Sequence, residues 1–337
     1  MFSGLFIGIA FGILLQRTQF CFVSGFRRFL FEKNFRFFTA LLIAVSVQSI
    51  GLFTLAEFEL IKIPTSQLPM LASILGGLLF GIGMVLSNCC GSGAWFRSAE
   101  GALGSLLALF AFALTMASTQ TGSLRQFIGG LTQQTTQWNN IYLTFSISPW
   151  WLVAILIIAT LILFSRREKI VSQENLSNLS NLSNLSFFDR TFKRSWNPYL
   201  GALLIGLLGV VAWYFSAKAG RNFGYGISVP SANVVQYLVI GQQRYLNWGS
   251  LFVVGIPLGS FLMAKLSGDF NLRMPQPKEA LRRILGGILM GLGAALAGGC
   301  TVTNSLVATA YFSWQGWLAT GFILLGCWIG NRLFVKR

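Results

Sequence analysis

The chain has 337 residues, of which 54% are hydrophobic and only 10% charged, far below the roughly 25% of charged residues in ordinary soluble domains. That composition excludes a soluble fold, so the formal charge of +16 reads as basic loops and attraction of anions, with no nucleic-acid partner. Histidine is absent, which removes Cys/His metal sites and His-based acid–base catalysis. Neither metal nor cofactor is expected.

Apolar runs of membrane-crossing length predict helices near residues 2–16, 36–56, 70–87, 102–119, 149–165, 197–217, 249–266, 282–298 and 314–331. The first run lacks a basic flank and a small-residue cleavage site, so it reads as a retained helix. The fold class expected is an all-α polytopic membrane protein with about nine transmembrane helices. Nine spans put the termini on opposite faces, and 20 of the 25 basic residues then fall on the face of the C-terminus. The positive-inside rule makes that face cytoplasmic and the N-terminus periplasmic. Trp150, Trp151, Trp196 and Trp248 sit at predicted helix ends and read as interfacial anchors.

Residues 175–186 repeat Asn-Leu-Ser four times between clusters of Arg and Lys, the pattern of a disordered cytoplasmic loop. The flanking halves repeat each other. Ile74-Leu-Gly-Gly-Leu-Leu-Phe-Gly-Ile-Gly83 matches Ile284-Leu-Gly-Gly-Ile-Leu-Met-Gly-Leu-Gly293, and ungapped continuation sets Cys90 on Cys300 and Cys89 on Gly299. A weaker match sets Arg17 on Arg221, Cys21 on Tyr225 and Ser24 on Ser228. The organisation expected is a first repeat over 1–120, a linker helix and loop over 121–196, and a second repeat over 197–337. A single linker helix makes the second repeat enter from the opposite face, and inverted repeats place a permeant site near the midplane.

Four stretches are too polar or too short to span: 17–28, 88–98, 220–236 and 298–311. Irregular backbone at membrane depth is tolerated only where protein or a watery cavity satisfies it. Four short re-entrant helices, two from each face, are therefore expected to meet near the centre. Three of these stretches carry cysteine: Gln19-Phe-Cys21-Phe-Val-Ser24, Ser87-Asn-Cys-Cys90-Gly-Ser-Gly93 and Ala297-Gly-Gly-Cys300-Thr-Val-Thr-Asn304. A helix start favours anions through its unpaired N–H groups. Gly91, Ser92, Thr301 and Thr303 add donors without bulk. A thiol adds a polarizable sulfur and a weak donor. An anion that bears sulfur uses both properties, and thiosulfate is the simplest one.

Cys21, Cys90 and Cys300 are the principal candidates; Cys89, Arg17, Ser24, Asn304 and Glu100 are secondary ones. Cys327, inside the last run, reads as a small hydrophobe. Arg97 and Glu100 are spaced to pair at i,i+3. A membrane thiol oxidoreductase is the alternative from another class, though it requires paired cysteines, and only Cys89 and Cys90 are adjacent. No C-x-x-C is present.

As a set, Arg17-Thr-Gln-Phe-Cys21-Phe, Ile74-Leu-Gly-Gly through Cys90-Gly, and Ile284-Leu-Gly-Gly through Cys300-Thr give a chain that resembles the YeeE/YedE sulfur-transport membrane proteins. Thiosulfate transporters of bacteria belong to that family. The likeness covers nearly everything outside residues 168–190. It implies inverted halves, an hourglass-shaped interior, and a non-enzymatic path in the inner membrane along which thiosulfate passes between thiols. On matching positions those thiols are Cys21, Cys90 and Cys300. It also implies a cytoplasmic TusA-like sulfurtransferase as partner, besides the membrane lipid. The adjacent Cys89 and the Asn-Leu-Ser loop depart from the family pattern. The same fold carrying another sulfur or selenium species is the remaining alternative.

Overall fold

A computed structural model describes residues 1–175 and 196–334; the Asn-Leu-Ser repeat expected as a disordered loop lies outside the described residues. In chain order the helices are α1 Phe2–Thr18, α2 Phe22–Glu32, α3 Arg36–Glu57, α4 Met70–Ser87, α5 Gly91–Ala99, α6 Leu103–Gln120, α7 Arg125–Thr132, α8 Ile141–Thr144 and α9 Pro149–Asn175. They continue as α10 Pro198–Lys218, α11 Ser228–Ile240, α12 Trp248–Ser267, α13 Pro277–Leu296, a π-helical turn Val302–Ala308, and α14 Trp314–Phe334.

The chain is an all-α, multi-pass membrane protein. Among the described residues seven helical stretches are long and apolar enough to cross a bilayer, and Pro149–Ser165 is a shorter apolar helix. The remaining expected span, α13, opens five residues earlier than its apolar run, at Pro277, with Lys278, Glu279, Arg282 and Arg283 in its first turns. Proline suits a helix start because its missing N–H is an orphan there anyway. Helix α9 runs ten residues past its expected end. Trp248, expected at an interface, is instead buried, stacks on Phe252 at 5.7 Å and donates to Ser3 Oγ at 3.1 Å. Its capping box, Asn247 with Ser250, turns the ring into the bundle.

Glycine sets the centre of the molecule. Helices α4 and α13 cross so closely that a Cβ on Gly76 would fall 2.7 Å from Gly293 O, and one on Gly293 2.7 Å from Gly76 O. Gly83 and Gly286 stand in the same reciprocal relation, again at 2.7 Å. Small residues let membrane helices approach to backbone contact, where packing rather than hydrophobicity drives association. These four glycines belong to the two matching decapeptides, so the internal repeat is also the central crossing.

The other pairings exchange when the halves are swapped. Helix α1 packs on α12 as α10 does on α3; α4 packs on α14 as α13 does on α6. Helix α5 meets α12 as the π turn meets α3, and α2 meets α14 as α11 meets α6. Helix α9 lies outside this exchange, against α3.

Candidate functional site

The close crossing positions the short segments. Ser87, ending α4, lies against Gly286, whereas Ala297, following α13, lies against Gly76. The two helix ends are thus separated by the length of their overlap, about 16 Å at 1.5 Å per residue. Yet a Cβ on Gly91 would lie 3.4 Å from Cys300 Cβ and 3.7 Å from its Sγ. Both chains therefore double back towards each other after their long helices end, which is the re-entrant geometry expected for 88–98 and 298–311. Asn88, in the left-handed region at φ 53°, makes the first reversal; Gly298, at φ 71°, makes the second.

At this meeting point Cys90 is the N-cap of α5 and its Sγ accepts from Gly93 N at 3.4 Å, with Ser92 Oγ at 3.3 Å. A sulfur taking the place of the usual Ser or Asp cap keeps the thiol beside the helix's unpaired amides. Cys300 Sγ lies 3.7 Å from Thr303 Oγ1, and the backbones of Thr303, Val302 and Ser228 lie within reach of it. Ser228 begins α11, so the start of that short helix arrives from the second half. Ile227 lies beside Gly91, and Trp95 of α5 donates to Ser231 of α11 at 2.8 Å. Cys21, the N-cap of α2, stands within electrostatic reach of Cys90. All three thiols are buried.

The remaining candidates divide by what they touch. Thr301 is fully buried, and its hydroxyl has no hydrogen-bond partner among the described residues. Asn304 donates to Ala297 O at 3.2 Å and Gly299 O at 2.8 Å, so its amide holds the loop that carries Cys300. Ser24 donates to Cys21 O at 3.2 Å, closing the first turn of α2. Cys89 is buried with its Cβ against Gly93, and Ser87 Oγ donates to its carbonyl. Arg17 is buried and pairs with Asp269 at 3.5 Å, tying the end of α1 to the end of α12. Tyr225, standing where the first half has Cys21, donates to Ile205 O at 2.9 Å and stacks on Phe11. The pseudo-symmetric site thus holds three thiols rather than four.

Arg97 and Glu100 do not follow the expected i,i+3 pairing. Arg97 donates through Nη1 to Asn88 O at 2.9 Å and through Nη2 to Cys21 Sγ at 3.4 Å, while Glu100 accepts from Gln19 at 3.1 Å. The contact of Arg97 with a candidate thiol was missed by reading it only against Glu100. Arg97 lies seven residues past Cys90, two turns along the same face of α5, and that spacing was the available signal. Below these residues opens a cavity of about 410 Å³, on the face that carries Arg273 and the start of α13. Burial lifts the Glu100 carboxyl at its wall above the usual carboxylate range, with Gln19 and Arg97 opposing the shift.

Comparison with known proteins fits this geometry. A family model described as sulphur transport matches residues 17–329. The thiosulfate transporter TsuA of Escherichia coli (strain K12) is 40% identical over 335 residues, covering 99% of this chain and 95% of the relative. The thiosulfate transporter TsuA of Spirochaeta thermophila is 29% identical across 100% of both chains. The probable transporter YedE of Escherichia coli (strain K12) is 33% identical over 97 residues, 29% of this chain and 24% of that one. A family match over nearly the whole length and a relative at 40% identity place the chain in the sulphur-transport (YeeE/YedE) family of membrane transporters.

Proposed function

We propose that this chain carries thiosulfate inward across a bacterial inner membrane, N-terminus periplasmic and C-terminus cytoplasmic, with the ion handed between the thiols of Cys21, Cys90 and Cys300. The observation that carries the reading is the approach of Gly91 to Cys300, which joins the Cys90 cap of one half to the Cys300 loop of the other. Residues 1–120 and 197–337 act as inverted repeats around that contact, with 121–196 as linker. The exchange of packing partners between the halves supports this division.

The starts of α2, α5 and α11 turn positive helix ends and free amides towards the site. That offsets part of the cost of bringing a dianion into low dielectric. Gly91 leaves room for the ion, while Ser92, Thr301 and Thr303 supply hydroxyls. Thiols donate weakly, so no station holds the ion too tightly to release it. Each handover is hydrogen-bonded and forms no covalent bond. Sulfate lacks a terminal sulfur for the thiols to meet and is excluded on that ground. A TusA-like sulfurtransferase takes the ion on the cytoplasmic side.

Single replacement of Cys21, Cys90 and Cys300 by Ala, at matched expression, is expected to impair growth on thiosulfate as sole sulfur source. Unimpaired growth of all three variants refutes the thiol relay. Competition of labelled thiosulfate uptake by sulfite and selenium compounds identifies any other ion that shares the path.

A further inference from the structure

The cavity beside Arg97 has no part in a relay made only of thiols, yet it adjoins one of them. Its walls include Gln19, Arg97, Glu100, Ser105, Arg273 and Arg283. Arg283 is committed: it chelates Glu279 at 2.5 and 3.0 Å and donates to Ser105 Oγ at 3.3 Å. Arg97 is held differently. Its two nitrogens meet a peptide carbonyl and a thiol, both weak partners for a guanidinium whose fork fits an oxyanion. It reaches Cys21 from one side and lines the cavity from the other.

We infer that this cavity is a second anion site, in which Arg97 receives a divalent oxyanion leaving the Cys21 sulfur and holds it in an aqueous chamber before release. The inference rests on the relay reading, because the chamber lies on the inward side of the thiols only if that topology holds. Its chemistry is distinct from the relay's. The chamber offers charge and N–H donors but no thiol of its own, so it does not discriminate between an oxygen and a terminal sulfur. Sulfate should occupy it as readily as thiosulfate, and selectivity resides above it. Ala102, half-buried on the same wall, marks the chamber for labelling.

The test uses the full-length protein in nanodiscs. Ala102→Cys is labelled with a water-soluble maleimide, and the native thiols, buried in the structure, set the background in the unsubstituted chain. Sodium thiosulfate and sodium sulfate are expected to slow labelling alike, where sodium chloride at equal ionic strength does not. Adding Arg97→Gln should weaken that protection about ten-fold or more, the usual worth of a charge-assisted hydrogen bond, with Arg97→Lys intermediate. Protection by thiosulfate alone, or by neither anion, overturns the inference, as does protection unchanged by Arg97→Gln. If Arg97→Gln does not yield folded protein, the sulfate arm on Ala102→Cys decides alone. The relay is judged separately: Cys300→Ala should abolish uptake while leaving chamber protection intact, so either proposal can fail without the other.

Discussion

Replacing Gly91 by Ala separates folding from passage at one position. Gly91 opens α5 in an ordinary helical conformation, and a Cβ there would lie 3.4 Å from Cys300 Cβ and 3.7 Å from both Cys300 Sγ and Ile227. Those are normal contact distances, so the fold accommodates the methyl. Loss of backbone freedom in the unfolded chain then stabilises the variant by about 0.4–1 kcal/mol. The same methyl occupies the gap between Cys300 and the start of α5. An ion forced through must displace it, at about the 1–3 kcal/mol of an overpacked site. That corresponds to uptake slowed roughly five- to hundred-fold. Labelled thiosulfate uptake per folded molecule, beside a melting curve in detergent, reads both effects. Gly293→Ala should behave oppositely: its Cβ would fall 2.5 Å from Phe80 N, so melting temperature falls while uptake per folded molecule persists. Wild-type uptake by a stably folded Gly91→Ala protein refutes passage between Gly91 and Cys300.

Asn304→Ala strands the Gly299 carbonyl in a buried loop and leaves the Ala297 carbonyl with Gln315 alone, at about 1–3 kcal/mol for the unsatisfied group, and should lower the melting temperature measured by tryptophan fluorescence. Glu100 makes anion binding in the chamber depend on pH. Its carboxyl is raised by burial, with Gln19 as hydrogen-bond partner and Arg97, Asp269 and Arg273 acting on it electrostatically. As pH falls through that raised value the wall loses a negative charge, so protection of Ala102→Cys by sulfate should strengthen, and Glu100→Gln should flatten the dependence. The same group favours the folded state below its raised value, where the native chain holds a proton that the unfolded chain releases, and this contribution is lost as pH rises.

Helix positions were legible because apolar length is imposed by the bilayer, and the repeat was legible because both copies carry the same closely packed glycines. Which polar groups meet was less so. A charged start hid the first turns of α13, since hydropathy discounts a helix that extends into water. Trp248 reads as an interfacial ring by position, yet its Nε1 finds Ser3 and its face finds Phe252, contacts between elements far apart in sequence. Asn304, a secondary candidate, ties its own loop. The place of Cys90 at a helix start was legible, because a position ahead of Gly-Ser-Gly is a local property. Arg97 was not, because its partner Cys21 lies 76 residues away.

Inward passage of a dianion also carries an energetic requirement. Moving two negative charges against an inside-negative potential costs about 4.6 kcal/mol per 100 mV, equivalent to a more than thousand-fold concentration ratio against entry. Thiols and helix ends lower the barrier for the ion in both directions and do not tilt that balance. Among the described residues two carboxylates face the chamber, Glu100 bonded to Gln19 and Glu279 held by Arg283. On the proposed reading, a cytoplasmic sulfurtransferase that consumes the ion as it leaves Arg97 supplies that tilt. Net uptake by the chain alone in liposomes should accordingly follow the imposed gradient and reverse with it, and accumulation against an opposing potential without an acceptor would contradict this account.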